Sequence, residues 1–231
     1  MHIDAVLKAA KDCGFATLRI VAAGEVPGAE VAARRYFCGN YAIHKVKLSG
    51  HFSRARLINY AAFLSRARFI AMLDADILLR REFVHNASYA LAEHKRRLIL
   101  PKVRYLSKFE SAAILGNTKA RSKTPSHSVM DCKGGLVWMR RKDFISVGGL
   151  RCEFEGWGFE EDEFAWRVIR HGFRIHRPEC ELYHLWHERS KRKAKGYYKK
   201  RDENRRIYKR IKSADDFALA FKFEGLEVSN I

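Results

Sequence analysis

The sequence predicts an α/β domain built on a largely parallel sheet, and two features of its pattern carry that prediction. Short apolar runs of strand length recur along the chain, and segments with a 3.6-residue apolar period fall between them. With 231 residues, 47% of them hydrophobic, the chain is long enough to bury one sizeable core.

Taken in order, residues 4–12 have helical spacing, 17–23 form a short apolar strand, and 42–48 alternate as a half-buried strand does. Ser53 stands where its hydroxyl can cap a helix running to about residue 66. The apolar run 69–73 follows, then a helix over about 82–94 and a strand near 98–103. Residues 104–132 show no clean period and contain Gly116 and Pro125, so a long surface excursion is expected there. Beyond it come a strand at 136–139, a short helix at 142–147 closed by Gly148 and Gly149, and a helix at 161–171 closed by Gly172. Short strands around Arg174 and Leu182 precede a basic stretch.

That stretch, residues 188–212, holds thirteen Lys or Arg against three acids. Tyr197, Arg201, Asn204, Ile207, Tyr208 and Ile211 recur in it at helical spacing. The expected organisation is therefore a domain over residues 1–187 and a basic helical tail with a C-terminal segment over 188–231. A net charge of +19 and a pI near 10.0 imply an anionic partner: phosphate, nucleic acid, lipid headgroups or an acidic polymer. The apolar content excludes a wholly disordered basic chain. The best membrane candidate, residues 69–79, is far short of the roughly 18 residues needed and is broken by Asp74 and Asp76. No signal peptide is expected, because no apolar block follows a basic one at the N-terminus. The five cysteines are scattered, with no C-x-x-C pair, and read as reduced thiols in a cytosolic compartment.

Three constellations carry chemistry. Asp74 and Asp76 follow directly on the apolar run 69–73, so in an extended chain both carboxylates project to one face at the carboxyl end of a buried strand. Ligands of open α/β sheets bind there, and paired oxygen donors suit Mn²⁺ or Mg²⁺ holding a diphosphate. Capping of the next helix is the plainer explanation. In Gly156-Trp157-Gly158-Phe159-Glu160-Glu161-Asp162-Glu163, four consecutive acids need a helix N-terminus or a cation to offset their repulsion. The glycines around Trp157 suggest a close-approach loop with a planar wall, as against an ordinary acidic helix start with a core tryptophan. Third, His184 and His187 lie three apart, so both reach one metal only if the chain bends between them. One ligand is expected rather than two.

Together with Gly134-Gly135-Leu136, Lys142-Asp143-Phe144 and Gly148-Gly149-Leu150, these segments resemble the inverting GT-A glycosyltransferases. The β-1,4-galactosyltransferases and the catalytic domains of bacterial chondroitin-type polymerases are the nearest in pattern. The likeness covers about residues 15–210, and Ser53-x-x-Arg56-x-x-Asn59 is similar to the family's helix before the metal-binding strand.

The resemblance implies a Rossmann-like, nucleotide-diphospho-sugar transferase fold whose first strand is missing from this chain. It implies Asp76 and His187 as ligands of Mn²⁺ (or Mg²⁺), with His184 as a further one. Asp74, Arg56, Gly135, Trp157 and Glu160 would bind substrate, and Glu161 would stand at the place of the catalytic carboxylate, usually Asp, with Asp162 its competitor. The implied reaction moves a sugar from a UDP-sugar donor to a carbohydrate acceptor with inversion, in the synthesis of a surface glycan. The implied setting is cytoplasmic, with the basic tail reaching an anionic membrane at its inner face. Two rival readings are a non-catalytic GT-A-like binding subunit and a basic nucleic-acid-binding protein. No recognition-helix or stacking-sheet signature is present, so no specific nucleic-acid partner is expected.

Overall fold

The computed structural model describes residues 2–116, 128–131, 134–188, 197–216 and 226–228. Its elements run α1 (Ile3–Asp12), β1 (Leu18–Ala22), α2 (Ala29–Phe37), β2 (Tyr41–Leu48), α3 (Arg54–Leu64), β3 (Phe69–Leu73), β4 (Ile77–Leu78) and α4 (Arg81–Glu93). The second half adds β5 (Arg97–Ile99), β6 (Lys102–Tyr105), α5 (Lys108–Ile114), β7 (Ser128–Asp131), β8 (Leu136–Arg140), α6 (Arg141–Ser146) and α7 (Glu160–Arg170). β9 (Arg174–His176), β10 (Leu182–His184), α8 (Tyr197–Ser213) and β11 (Leu226–Val228) complete it.

The strands form three sheets, in the orders β1-β2-β11, β4-β10-β6-β7 and β3-β8-β5-β9. The expected parallel predominance is corrected: of the eight pairings among the described residues only β1–β2, β6–β10 and β5–β9 are parallel. β8, antiparallel between β3 and β5, supplies two of the five antiparallel pairings, and β4–β10, β2–β11 and β6–β7 supply the others.

β8 shows why the domain has three layers. All five of its residues are buried, and alternate side chains enter opposite cores. Leu136 and Trp138 face one core with α1, α2 and α4, whereas Val137 and Met139 face the other with α3, α6 and α7. Full burial of side chains of this size stabilises by about 1.5–3 kcal/mol each. β1 and β3 differ: every residue of β3 is only half-buried, as are four of the five in β1. Among the described residues β1 pairs only with β2, and β3 only with β8. Each therefore stands at the edge of its sheet among the described residues.

Several expectations are corrected locally. The expected strand 98–103 breaks into β5 and β6 at Pro101, which has no amide hydrogen to donate and lets the chain pass from one sheet to another. The excursion 104–132 contains the end of β6, α5 and β7, while residues 117–127 and 132–133 lie outside the described residues. Ser53 occupies the N-cap of α3 but makes no side-chain cap bond, and instead its hydroxyl donates to the Phe154 carbonyl at 3.2 Å. Nearby, Asn59 accepts from Leu150 N–H at 2.9 Å and donates to Leu150 C=O at 2.8 Å, so α3 holds the turn after Gly149. Cys13, Cys38, Cys152 and Cys180 are free thiols, and Cys132 lies outside the described residues.

Two C-terminal elements pack back onto the domain: α8 against α7, and β11 antiparallel to β2. Residues 189–196 of the basic stretch lie outside the described residues.

Candidate active site

A tight turn at the end of β3 creates the site. Asp74 N–H donates to Gly135 C=O at 2.9 Å and Ile77 N–H donates to Asp74 C=O at 3.3 Å. Gly135 sits at φ +83°, which glycine tolerates, and a Cβ there would approach the Ile77 side chain at 3.2 Å. The turn corrects the expectation that both carboxylates share a face. Asp74 meets Arg54 of α3, whereas Asp76 meets His184 at the end of β10 and His187 beyond it.

Asp76 is fixed through its own backbone, whose carbonyl accepts from Leu185 N–H at 2.8 Å. Leu185, buried just after β10, lies between His184 and His187, and both histidines come to one carboxylate. Their Nε2 atoms lie 3.5 and 3.3 Å from Asp76 Oδ2. Each Nδ1 faces a backbone carbonyl, Leu185 at 2.8 Å and Glu188 at 3.2 Å, which places a proton on Nδ1 and makes Nε2 the nitrogen that would ligate a metal. Two imidazole nitrogens thus face a carboxylate whose other oxygen is buried without a hydrogen-bond partner among the described residues. Burial pushes the Asp76 carboxyl up, against the opposing pull of His184.

The three ligand atoms lie within 4.8 Å of one another. Ligands of a six-coordinate Mg²⁺-like ion, at about 2.0–2.1 Å from it, stand roughly 3–4 Å apart. A mixed carboxylate and imidazole set suits Mn²⁺. These residues therefore fit a divalent cation, and both histidines reach it. The Tyr105 ring stacks on His184 at 4.6 Å, and the Ser111 hydroxyl of α5 accepts from Trp186 N–H at 2.7 Å. Both partners lie in the stretch expected to be a featureless excursion.

The second half of the site surrounds a half-buried arginine. Arg54 donates to Asp74 Oδ1 through Nε at 3.0 Å and Nη2 at 2.6 Å, and through Nη1 to Glu161. Glu160 Oε1 lies 3.9 Å from the same Nη1. One guanidinium thus serves three carboxylates. Burial, only partly offset by Arg54, pushes Glu161 up to about 8, and the neighbouring Glu160 and Asp74 charges add to the rise. Glu160 is also raised by burial, and its Oε2 has no hydrogen-bond partner. Gly134 gives Glu161 its room, since a Cβ there would stand 2.5 Å from Glu161 Oε2.

The four acids separate by their place on the first turn of α7. Glu160 and Glu161 turn to Arg54, and Asp162 is half-exposed. Glu163 is fully buried and pairs with Arg167 at 2.6 Å and Arg151 at 3.3 Å. Arg167 also donates to the Val147 and Gly149 carbonyls, so Glu163 belongs to the scaffold. Phe159, the N-cap of α7, adopts φ +74°, a left-handed conformation that costs a residue with a Cβ roughly 1–2 kcal/mol. Trp157 is 52% exposed on the loop before it.

The arginine of α3 that meets the carboxylates is Arg54 and not Arg56, which donates to Ser49 C=O at 3.1 Å. Sequence reasoning passed over Arg54 because its role depends on where α3 packs. An arginine at the first position of that helix, where an acid suits the dipole, was the available signal.

Residues 117–191 match the family model described as the N-terminal domain of galactosyltransferase. Over 162 residues the chain is 30% identical to human (Homo sapiens) chondroitin sulfate N-acetylgalactosaminyltransferase 2, a match covering 65% of this chain and 29% of that protein. It is 26% identical over 146 residues to human β-1,4-galactosyltransferase 4, covering 62% of this chain and 37% of that one. The chain thus spans well under half the length of these relatives. Among solved structures, TarS of S. aureus (residues 1–349) superposes with a TM-score of 0.58 at 13% identity, covering 80% of this chain and 56% of that chain. GalNAc-T7, crystallised with UDP, GalNAc and Mn²⁺, superposes at 0.55 and 12% identity, covering 75% and 38%. The fold is that of the GT-A glycosyltransferases, and the resemblance read from the motifs is borne out.

Proposed function

We propose that this GT-A chain is a metal-dependent inverting glycosyltransferase that moves a hexosyl group from a UDP-sugar to a carbohydrate hydroxyl. The observation that carries the reading is the pair of histidine Nε2 atoms converging on Asp76, beside a separate carboxylate cluster that contains a candidate base. Mn²⁺ or Mg²⁺ held by Asp76, His184 and His187 would supply positive charge to the leaving diphosphate.

The chain's own groups account for the remainder. Trp157 offers an exposed planar wall for a sugar, and Glu161 lies deep in the cleft beside Arg54. Glu161 accepts the proton of the acceptor hydroxyl as that oxygen attacks the anomeric carbon and the bond to the diphosphate breaks. The released products are UDP and the inverted glycoside. Arg54 opposes the burial that would keep Glu161 protonated, and a pKa near neutrality suits a general base. Relatives named as galactosyl- and N-acetylgalactosaminyltransferases support a UDP-sugar donor. The proposed setting is surface-glycan synthesis on the cytosolic face of a membrane, with the exposed Lys199, Arg206 and Lys209 of α8 meeting anionic headgroups.

The test is UDP release from a panel of UDP-sugars with and without Mn²⁺ and carbohydrate acceptors. Mn²⁺-dependent release from at least one donor is expected, and no release from any would refute the reading. Among the described residues β1 and β3 are edge strands, which favours one second reading, a binding subunit without turnover. Mn²⁺-dependent UDP binding with no release from any donor would select it.

A further inference from the structure

The basic helix does more than follow the site. One face of α8 lies along the loop that opens α7. Asn204, 1% exposed, donates through Nδ2 to the carbonyls of Glu155 at 2.8 Å, Gly158 at 3.1 Å and Trp157 at 3.4 Å. The Arg201 guanidinium lies 5.5 Å from the Trp157 ring centroid, and Lys200 pairs with Glu155 at 2.8 Å. The approach is close enough that a Cβ on Gly156 would stand 3.2 Å from Lys200 Cγ, and one on Gly158 3.7 Å from Arg201 Cγ. The glycines that flank the tryptophan therefore admit α8.

The contact that follows is the most telling. Phe159 holds the left-handed conformation at the N-cap of α7, and its ring stacks on Tyr208 at 5.8 Å and 30°, with Arg205 at 5.8 Å. A strained backbone persists only where its surroundings over-determine it, and here α8 supplies those surroundings. Glu160 and Glu161 follow immediately, so the φ of Phe159 sets where both carboxylates point.

We propose that α8 is a positioning element of the active site, in which Asn204, Arg201 and Tyr208 hold the loop 155–159 in the one conformation that aims Trp157 at the acceptor and Glu161 at Arg54. The part concerning the acceptor rests on the transferase reading. The part concerning the loop does not.

The test pairs amide hydrogen exchange with kinetics on the full chain. Tyr208→Ala is expected to speed exchange across residues 155–161 on the order of tenfold, while the β8 amides keep their protection. It should lower kcat on the order of tenfold and leave Mn²⁺-dependent UDP affinity unchanged. Tyr208→Phe keeps the ring and should match the wild type in both readouts. Because glycine enters the left-handed region without the Cβ clash, Phe159→Gly placed in the Tyr208→Ala background should restore slow exchange and kcat. Asn204→Ala should act like Tyr208→Ala, with acceptor KM raised as well. Unchanged exchange in Tyr208→Ala, faster exchange with unchanged kcat, or no rescue by Phe159→Gly would each overturn the proposal. If the wild type released UDP from no donor, the transferase reading and the acceptor part would fall together, while the exchange comparison would still decide whether α8 holds the loop.

Discussion

Two carboxylates two residues apart meet opposite circumstances. Asp76 faces two imidazole nitrogens and keeps a buried oxygen without a partner among the described residues, whereas Asp74 joins Glu160 and Glu161 around a guanidinium that the fold itself provides. One half of the cleft presents metal-ligating groups, and the other holds a cation of the chain's own, Arg54. The difference shows how a single acidic cleft divides its labour. On the proposed reading the first half would hold a metal that neutralises the leaving group, and in the second Arg54 opposes the burial that raises Glu161.

The largest effect expected from breaking this contrast is at Asp76. Asp76→Ala should abolish Mn²⁺-stimulated UDP release, and each of His184→Ala and His187→Ala should raise the Mn²⁺ concentration required by about 10–100-fold, the range that loss of even an outer-shell partner produces. Titration of activity with Mn²⁺ checks both. In the other half, Glu161→Gln should lower kcat on the order of 10²-fold or more, as loss of a general base does. Asp162→Asn should cost far less. An inactive Asp162→Asn beside a near-normal Glu161→Gln would move the base one position along α7.

A smaller effect separates Arg54 from its neighbour. Arg54→Ala removes the charge that opposes burial of Glu161, so the acidic limb of the kcat profile should move to higher pH, whereas Arg56→Ala leaves the limb in place. A pH–rate series on the two variants checks this.

The smallest effect is on stability. Glu161 is held near 8 when folded, above its ordinary value of 4.5, so over that interval the folded state keeps a proton that the unfolded chain has lost. Its contribution is full below about 4.5 and disappears as pH rises through about 8. The metal-free protein should therefore show a Tm that falls across this window more steeply in the wild type than in Glu161→Gln.

Much of this was legible in the sequence, for identifiable reasons. The apolar run 69–73 ending in Asp74 and Asp76, and the helix starts near Ser53 and Glu160, are local patterns, and local patterns survive folding. α2 was missed although Ala29, Ala32, Ala33 and Phe37 have helical spacing, because arginines and a glutamate lie between them. The capping box of Ser107 and Glu110 was written in the chain but lost among polar residues read as a loop. What local pattern did not carry is tertiary. The convergence of both histidines on Asp76, the entry of Arg54 between three carboxylates, and the docking of Asn204 on a distant loop all depend on which elements become neighbours.

The division between the two halves is tested most directly by calorimetric titration of UDP in the presence of Mn²⁺ into wild type, Asp76→Ala and Glu161→Gln. The account predicts wild-type UDP affinity in Glu161→Gln and at least a tenfold weaker affinity in Asp76→Ala, with Mn²⁺ making no difference to the latter. Equal affinities in all three proteins, or a loss confined to Glu161→Gln, would contradict it.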